Sequence, residues 1–160
     1  MQHEDVDPDD GRNETANERL DRNWEEILQE LRVIQTGTQI LTGFLLALAF
    51  QQRFTKLNDG QLDLYLVLVG LAGLSTVLGL APVILHRTFF RQHAKDHIVM
   101  VGNRLLLGEI VVVGLLTIGV TSFVFDFVVG EPAGIVAAVI AAMIVVALWI
   151  VLPRLRRARA

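Results

Sequence analysis

Residues 133–152 read AGIVAAVIAAMIVVALWIVL, a run of twenty residues without one charged side chain. A helix of about 20 apolar residues is long enough to cross the ~30 Å hydrocarbon core of a bilayer. A helix at the surface of a soluble protein carries polar side chains on the face that meets water, and this stretch has no such face. The stretch therefore predicts a transmembrane helix.

Three further apolar blocks precede it, at residues 33–50, 62–85 and 105–129. Hydrophobic residues make up 52% of the chain and charged residues only 19%, and the mean hydropathy is +0.50. Because lipid offers no hydrogen-bond partner to a free peptide group, each block is expected to be helical. The sequence predicts an all-α membrane protein, a bundle of four transmembrane helices.

The N-terminal region differs in composition from these blocks. The first 32 residues hold eleven Asp or Glu against four Arg. Residues 1–13 are too polar and too acidic to bury much surface, which predicts a disordered tail. Residues 14–32 place apolar side chains at spacings of three and four, which predicts an amphipathic cytoplasmic helix ahead of the first crossing. The apolar residues on this stripe are Leu20, Trp24, Ile27, Leu28 and Leu31.

The distribution of Lys and Arg predicts the orientation. The connection at residues 86–104 and the basic tail at 153–160 carry four Lys or Arg each, the first connection carries two and the third none. By the positive-inside rule, the second connection and both termini are expected in the cytoplasm. Tyr65 and Trp149 fall near opposite predicted interfaces, where amphipathic rings are favoured.

Two helix starts carry local signals. Asn58 with Gln61 has the spacing of a capping pair before the second apolar block. Glu131 followed by Pro132 is typical of a first helical turn and predicts the start of the fourth helix.

The first crossing is unusually polar, and the third contains an acid. Gln35, Gln39 and Thr42 share one helical face with Thr38, and this face is expected to point into the bundle. Glu109 lies about one turn inside the third crossing, where a carboxylate must be neutralised, paired or hydrated. With His86 at similar depth, these side chains predict a site for a proton or a cation. The alternatives are interhelical hydrogen bonding by the polar face and a Glu109 that reaches the interface to pair with a basic residue.

The second connection is basic. It is expected to bind lipid head groups or to dock the acidic N-terminal helix, through Arg87, Arg91, Lys95 and Arg104. His93 and His97 would share a helical face at a spacing that permits metal binding, but two histidines in a basic stretch favour a solvated face. No metal site is predicted.

Motifs of soluble enzymes are missing: the chain has no Walker A loop, no GxGxxG, no HExxH and no GxSxG, and cysteine is absent. Neither an enzyme nor a cofactor is predicted. The basic residues are split between a short connection and a short tail, so no nucleic acid partner is expected. Gly134, Ala138 and Ala142 form a series of small residues that suits either packing within the bundle or self-association as a homo-oligomer.

Several stretches resemble a known family. They are NETANERLDRNWEE (13–26), LQELRVIQTGTQILTGFLL (28–46), AFQQRF (49–54), APVILHRTFFRQHAKD (81–96) and ALWIVLP (147–153). They are similar to an actinobacterial family of small four-pass membrane proteins of unknown function, whose members are sometimes labelled sodium:proton antiporters. The resemblance implies a bacterial plasma-membrane location. The expected role is a structural or interaction module in the lipid bilayer, with an unidentified membrane protein as a further partner, and the alternative is a small proton-coupled transporter that uses Glu109.

Overall fold

The computed structural model of the chain describes residue 11 and residues 13–89 and 95–157. Its helices are α1 (Ala16–Leu48), α2 (Asp59–Phe89), α3 (Lys95–Val129), α4 (Glu131–Val146) and α5 (Leu152–Arg157). A 3₁₀ turn (Gln52–Lys56) follows α1, and a π-helical turn (Ala147–Val151) joins α4 to α5. Within the described ranges no strand occurs, and four helices are long and apolar enough to cross a membrane. The predicted all-helical class is confirmed. The predicted tail at residues 1–13 lies, except for residues 11 and 13, outside the described residues.

The first helix is longer than the sequence pattern suggested. The amphipathic segment 14–32 and the apolar block 33–50 were expected as separate helices, but α1 runs through both for 33 residues. No glycine, proline or capping residue occurs between residues 29 and 34, so nothing in the local sequence ends the helix there.

Reciprocal hydrogen bonds fix the starts of α1 and α2. The backbone N–H and the Oγ1 hydroxyl of Thr15 both donate to Glu18 Oε2 at 2.8 Å, and the Glu18 N–H donates to Thr15 Oγ1 at 3.4 Å. The predicted capping pair before α2 is confirmed, because the Gln61 N–H donates to Asn58 Oδ1 at 2.8 Å and the Asn58 N–H donates to Gln61 Oε1 at 3.2 Å. Each pair satisfies backbone donors that a helix start leaves open.

The connection between α3 and α4 is a single residue. Gly130 has a φ of +126°, a backbone conformation that residues other than glycine rarely adopt. Helix α4 then starts at Glu131 with Pro132 in its first turn, as the sequence predicts. A proline there loses no hydrogen bond, since the first helical N–H groups have no intrahelical acceptor.

The π-helical turn precedes Pro153. Proline has no N–H for the carbonyl of Trp149, and its ring would collide with that carbonyl in a regular α-helix. One wider turn at Ala147–Val151 accommodates the ring and lets the helical path continue into α5.

The chain divides into two compact units, of which the first comprises Met1–Thr36 and Thr76–Ile110. Its apolar core joins Ile27 and Leu31 of α1 to Leu106 of α3, and the partly buried side chains of Ile34, Val99 and Ile110 pack against them. Trp24, 8% exposed, lies against Gly102, where a Cβ would come within 2.7 Å of the indole ring.

The second unit comprises Gly37–Ser75 and Val111–Ala160. Its core is a single apolar cluster contributed by α1, α2 and α3, with the buried members Leu45, Tyr65, Leu68, Ala72, Leu116, Val120 and Phe123. Leu68 packs closely against Gly119, and Trp149 lies against Gly114. In this unit glycines of α3 make room for large side chains of other helices.

Tyr65 lies inside this second core. It is 5% exposed, and its hydroxyl donates to the Leu45 carbonyl oxygen at 3.1 Å. Its ring meets Phe54 edge-on at a centroid distance of 4.9 Å. The hydroxyl thus finds an acceptor on the neighbouring helix and does not need water, and the position of Tyr65 near a membrane interface stays a prediction.

Removal of the Tyr65 hydroxyl is expected to weaken the second unit. We expect Tyr65→Phe to lower the free energy of unfolding by about 1 kcal/mol, the usual contribution of one hydrogen bond. Tyr65→Ala, which also removes the ring, should cost about 3–5 kcal/mol. Denaturation of the purified protein in detergent measures both values, and a Tyr65→Phe variant as unstable as Tyr65→Ala would contradict this account.

Candidate functional site

Glu109 is the most deeply buried acid among the described residues, with 0% of its surface exposed. It belongs to the first unit, one turn along α3 from Leu106 in the apolar core and next to Gly108, which faces Leu78 of α2. Glu109 takes part in a polar or electrostatic interaction. A carboxylate in such surroundings is tolerated only when it is paired or protonated. This complete burial contradicts the alternative in which the Glu109 side chain reaches the interface, while its pairing with a basic residue stays a prediction.

Gln35 occupies the same unit. It is half-buried, and its amide packs so closely on Gly79 of α2 that a Cβ at that position would collide with Nε2. A larger residue at position 79 would therefore force the Gln35 side chain to move. Pro82, one turn further along α2, is also fully buried.

The remaining predicted members of the polar site are placed differently. Gln39 and Thr42 belong to the second unit, where Gln39 is exposed and Thr42 is half-buried. The Thr42 hydroxyl is buried and makes no hydrogen bond with the described residues. Thr38, on the same helical face, is 4% exposed. The side chain of His86 lies outside the description, so the predicted contact of His86 with Glu109 stays a prediction.

The predicted basic surface is described only in part. Arg87 and Arg104 are exposed, whereas Arg91 and the side chain of Lys95 lie outside the described residues. The N-terminal segment of α1 does contact α3, through Trp24 on Gly102 and through the apolar core of the first unit. These contacts are apolar, so docking by opposite charges stays a prediction.

Charged groups of the N-terminal segment pair with one another. Arg22 Nη2 lies 2.7 Å from Glu14 Oε1, and Arg22 Nη1 lies 3.1 Å from Glu26 Oε1. The hydrogen bond to Glu14, together with Glu26, raises the pKa of the Arg22 guanidinium above its usual value. These residues precede the apolar part of α1. Arg22 therefore forms ion pairs with Glu14, just before α1, and with Glu26, one turn further along the helix.

Metal binding finds no support in the described part of the chain, where no three His, Asp or Glu side chains are grouped to hold an ion. His93 and the side chain of His97 lie outside that part.

A polar contact in the second unit joins α2 to α3. Gln61 Nε2 donates to Asp126 Oδ1 at 3.1 Å, and the neighbouring Ser122 hydroxyl donates to the Gly134 carbonyl oxygen at 3.0 Å. A Cβ on Gly134 would collide with Asp126. The first member of the predicted series of small residues therefore packs within the chain.

Sequence reasoning missed an aromatic pocket in the second unit. A cavity of ≈ 310 Å³ lies where the end of α1, the 3₁₀ turn and the last turns of α3 meet. Its lining includes Phe54, Phe123 and Phe127, and the guanidinium carbon of Arg53 stands 5.6 Å from the centre of the Phe127 ring. The sequence signal for this pocket was the spacing of Phe123 and Phe127, which places them on one face of α3. The sequence does not show that Phe54, about 70 positions earlier, packs beside them; only the tertiary structure does.

The geometry defines an all-helical protein with four helices long and apolar enough to cross a membrane. The chain belongs to a family of unknown function (DUF6328), whose model matches residues 13–153. No curated protein and no solved structure matches the chain.

The contact of Trp24 with Gly102 can be tested by fluorescence. In a Trp149→Phe background Trp24 is the sole tryptophan, since the chain has two. We expect Gly102→Val to displace the indole, to shift its emission to longer wavelength and to cost about 1–3 kcal/mol through overpacking.

Gly73→Val is the matched control, because Gly73 is exposed and has open space beyond it. An equal emission shift in both variants would argue against the packing of Trp24 on α3.

Proposed function

We propose that the chain is an integral protein of the bacterial plasma membrane, with four helices crossing the bilayer and both termini in the cytoplasm. Within that membrane it acts as a structural or interaction module. The proposal is supported by the apolar side chains exposed on α1 to α4, with the family resemblance as a further argument.

The observation that carries the membrane assignment is the exposure of α4. The most apolar window of the helical run Glu131–Arg156 has a mean hydropathy of 3.1, and only 6% of that window is buried. In water such a surface would far exceed the apolar patches of a soluble monomer. In lipid it costs nothing, because acyl chains are as apolar as the side chains.

The other long helices also expose large apolar side chains. Each combines a buried side with exposed large apolar residues, for example Ile40 of α1, Val67 of α2 and Val111 of α3. The distribution of Lys and Arg supports the proposed orientation, with the basic connection around Lys95 on the cytoplasmic side.

An interaction role is supported by glycines on exposed helix faces. Gly37 and Gly43 of α1 and Gly70 and Gly73 of α2 are exposed. Apart from nearby backbone of the same helix, no described residue lies within 4 Å of a Cβ placed at any of them. In a membrane, small residues let a second helix approach closely, whether from another copy of the chain or from another membrane protein. Within the chain, Gly119 of α3 allows such a close approach by Leu68 of α2.

Reporter fusions test the membrane assignment and the orientation together. We expect a cytoplasmic reporter to be active after Lys95 and after Ala160 and inactive after Gly130, because the α3–α4 connection carries no Lys or Arg. The protein should also stay with the membrane pellet after alkaline washing. Release into the supernatant would refute the membrane assignment, and activity after Gly130 with none after Lys95 would refute the orientation alone.

Proton-coupled transport is the second candidate, favoured by the complete burial of Glu109. A carboxyl group held away from water in a membrane is the usual starting point of a proton relay.

Transport requires a titratable group at residue 109. If the chain transports protons, reconstituted vesicles should show a cation-dependent pH change that Glu109→Gln abolishes, since glutamine keeps the shape and loses the exchangeable proton. Glu131→Gln is the matched control, because Glu131 is exposed in the first turn of α4. Equal flux in wild type and Glu109→Gln would exclude Glu109 from any mechanism.

A further inference from the structure

The aromatic pocket has the composition of a site for an amphipathic ligand. Its volume of ≈ 310 Å³ is at the lower end of the ~300–1,000 Å³ typical of ligand sites. The apolar part of the lining consists of Leu48, Leu57 and the three phenylalanines at 54, 123 and 127. The polar part is Gln51, Gln52 and Arg53, all of which are exposed at the rim. A ligand that fits therefore has an apolar part and a polar end.

The charge at the rim is positive. Arg53 is the charged residue of the lining, and among the described residues no carboxylate pairs with it. The carbon of its guanidinium lies 5.6 Å from the centre of the Phe127 ring, within the range of a cation–π contact. The N–H groups at the edge stay available for a phosphate, which guanidinium binds with two parallel hydrogen bonds.

The aromatic side chains of the pocket contact one another and the core of the second unit. Phe123 and Phe127 are nearly parallel, with centroids 6.2 Å apart and an interplanar angle of 5°. Tyr65, anchored by its hydrogen bond to the Leu45 carbonyl oxygen, contacts both Phe54 and Phe123. The pocket wall is thus continuous with the core of the second unit.

The depth of the pocket identifies the occupant, on the basis of the membrane assignment proposed above. Helix α1 ends at Leu48 and the next charged residue is Arg53, so the rim lies where hydrocarbon gives way to head groups. A guanidinium beside an apolar cleft at that level can bind the phosphate of a lipid whose acyl chain enters the cleft. The occupant has its phosphate at the rim and the first part of an acyl chain against the phenylalanines.

We propose that this pocket is a binding site for one anionic phospholipid, with Arg53 contacting the phosphate. Lys56 lies in the same 3₁₀ turn, is exposed and does not line the pocket, so it senses only the general attraction of a basic loop for anionic lipid.

The test measures lipid retained by the purified full chain. Protein in neutral detergent is titrated with phosphatidylglycerol, with phosphatidylcholine and with inorganic phosphate, and the bound lipid is counted by native mass spectrometry. We expect one phosphatidylglycerol to be retained and phosphatidylcholine to bind more weakly. Arg53→Gln should lower the affinity for phosphatidylglycerol by about fivefold or more, the effect of one basic residue at a membrane surface.

Two further variants separate a built site from general attraction. Arg53→Lys keeps the charge and loses the planar guanidinium that binds phosphate with two parallel hydrogen bonds, so its affinity should lie between those of wild type and Arg53→Gln. Lys56→Gln should retain the lipid better than Arg53→Gln. Equal losses in Lys56→Gln and Arg53→Gln would overturn the proposal, as would equal binding of the two lipids by the wild-type protein. Binding of inorganic phosphate with equal affinity would show an anion site and exclude the acyl contact.

Failure of the pocket proposal can be distinguished from failure of the membrane assignment. A protein that stays with the membrane after alkaline washing but retains no phosphatidylglycerol refutes the pocket alone. A protein released by that washing refutes the membrane assignment on which the depth argument rests. Circular dichroism of each variant verifies that the variant is folded, so that a loss of bound phosphatidylglycerol is not caused by unfolding.

Discussion

A peptide group that enters hydrocarbon loses its hydrogen bonds to water and finds no substitute in lipid. The proposed bilayer therefore demands segments that satisfy their own backbone, and helices do so. The apolar side chains exposed on α4 and on α1 to α3 are also favourable in lipid and unfavourable in water. Once burial of apolar surface no longer drives helices together, close packing must hold them.

Glycine provides that packing in both units. In the first unit Gln35 lies on Gly79 and Trp24 on Gly102, and in the second Leu68 lies on Gly119. In each case a large side chain of one helix occupies the space that a Cβ would take on another. Dispersion contacts are individually small, and close approach is how a helix gathers enough of them without help from water. Glycine costs helix stability in water, but this cost is offset where it permits such contacts.

The two candidate sites differ in what the surrounding structure does for them. Glu109 is enclosed in the first unit, where burial controls whether a charge can exist. The pocket beside Arg53 has exposed polar residues at its rim, and its wall is formed by phenylalanines that contact each other and Tyr65. Burial suits a structural or proton-binding carboxyl, whereas an open basic rim suits an anionic ligand.

The sequence by itself determined the helical class, the number of long apolar segments, the capping pair at Asn58 and the start of α4 at Glu131, because these depend on side-chain polarity and on neighbours within one turn. It also identified Glu109 as an acidic residue inside the third apolar block. Only the tertiary structure decided that Tyr65 is buried and that Phe54 meets Phe123 and Phe127 in one pocket. Such contacts join residues far apart in the chain, and their geometry follows from how helices pack, which no local pattern records.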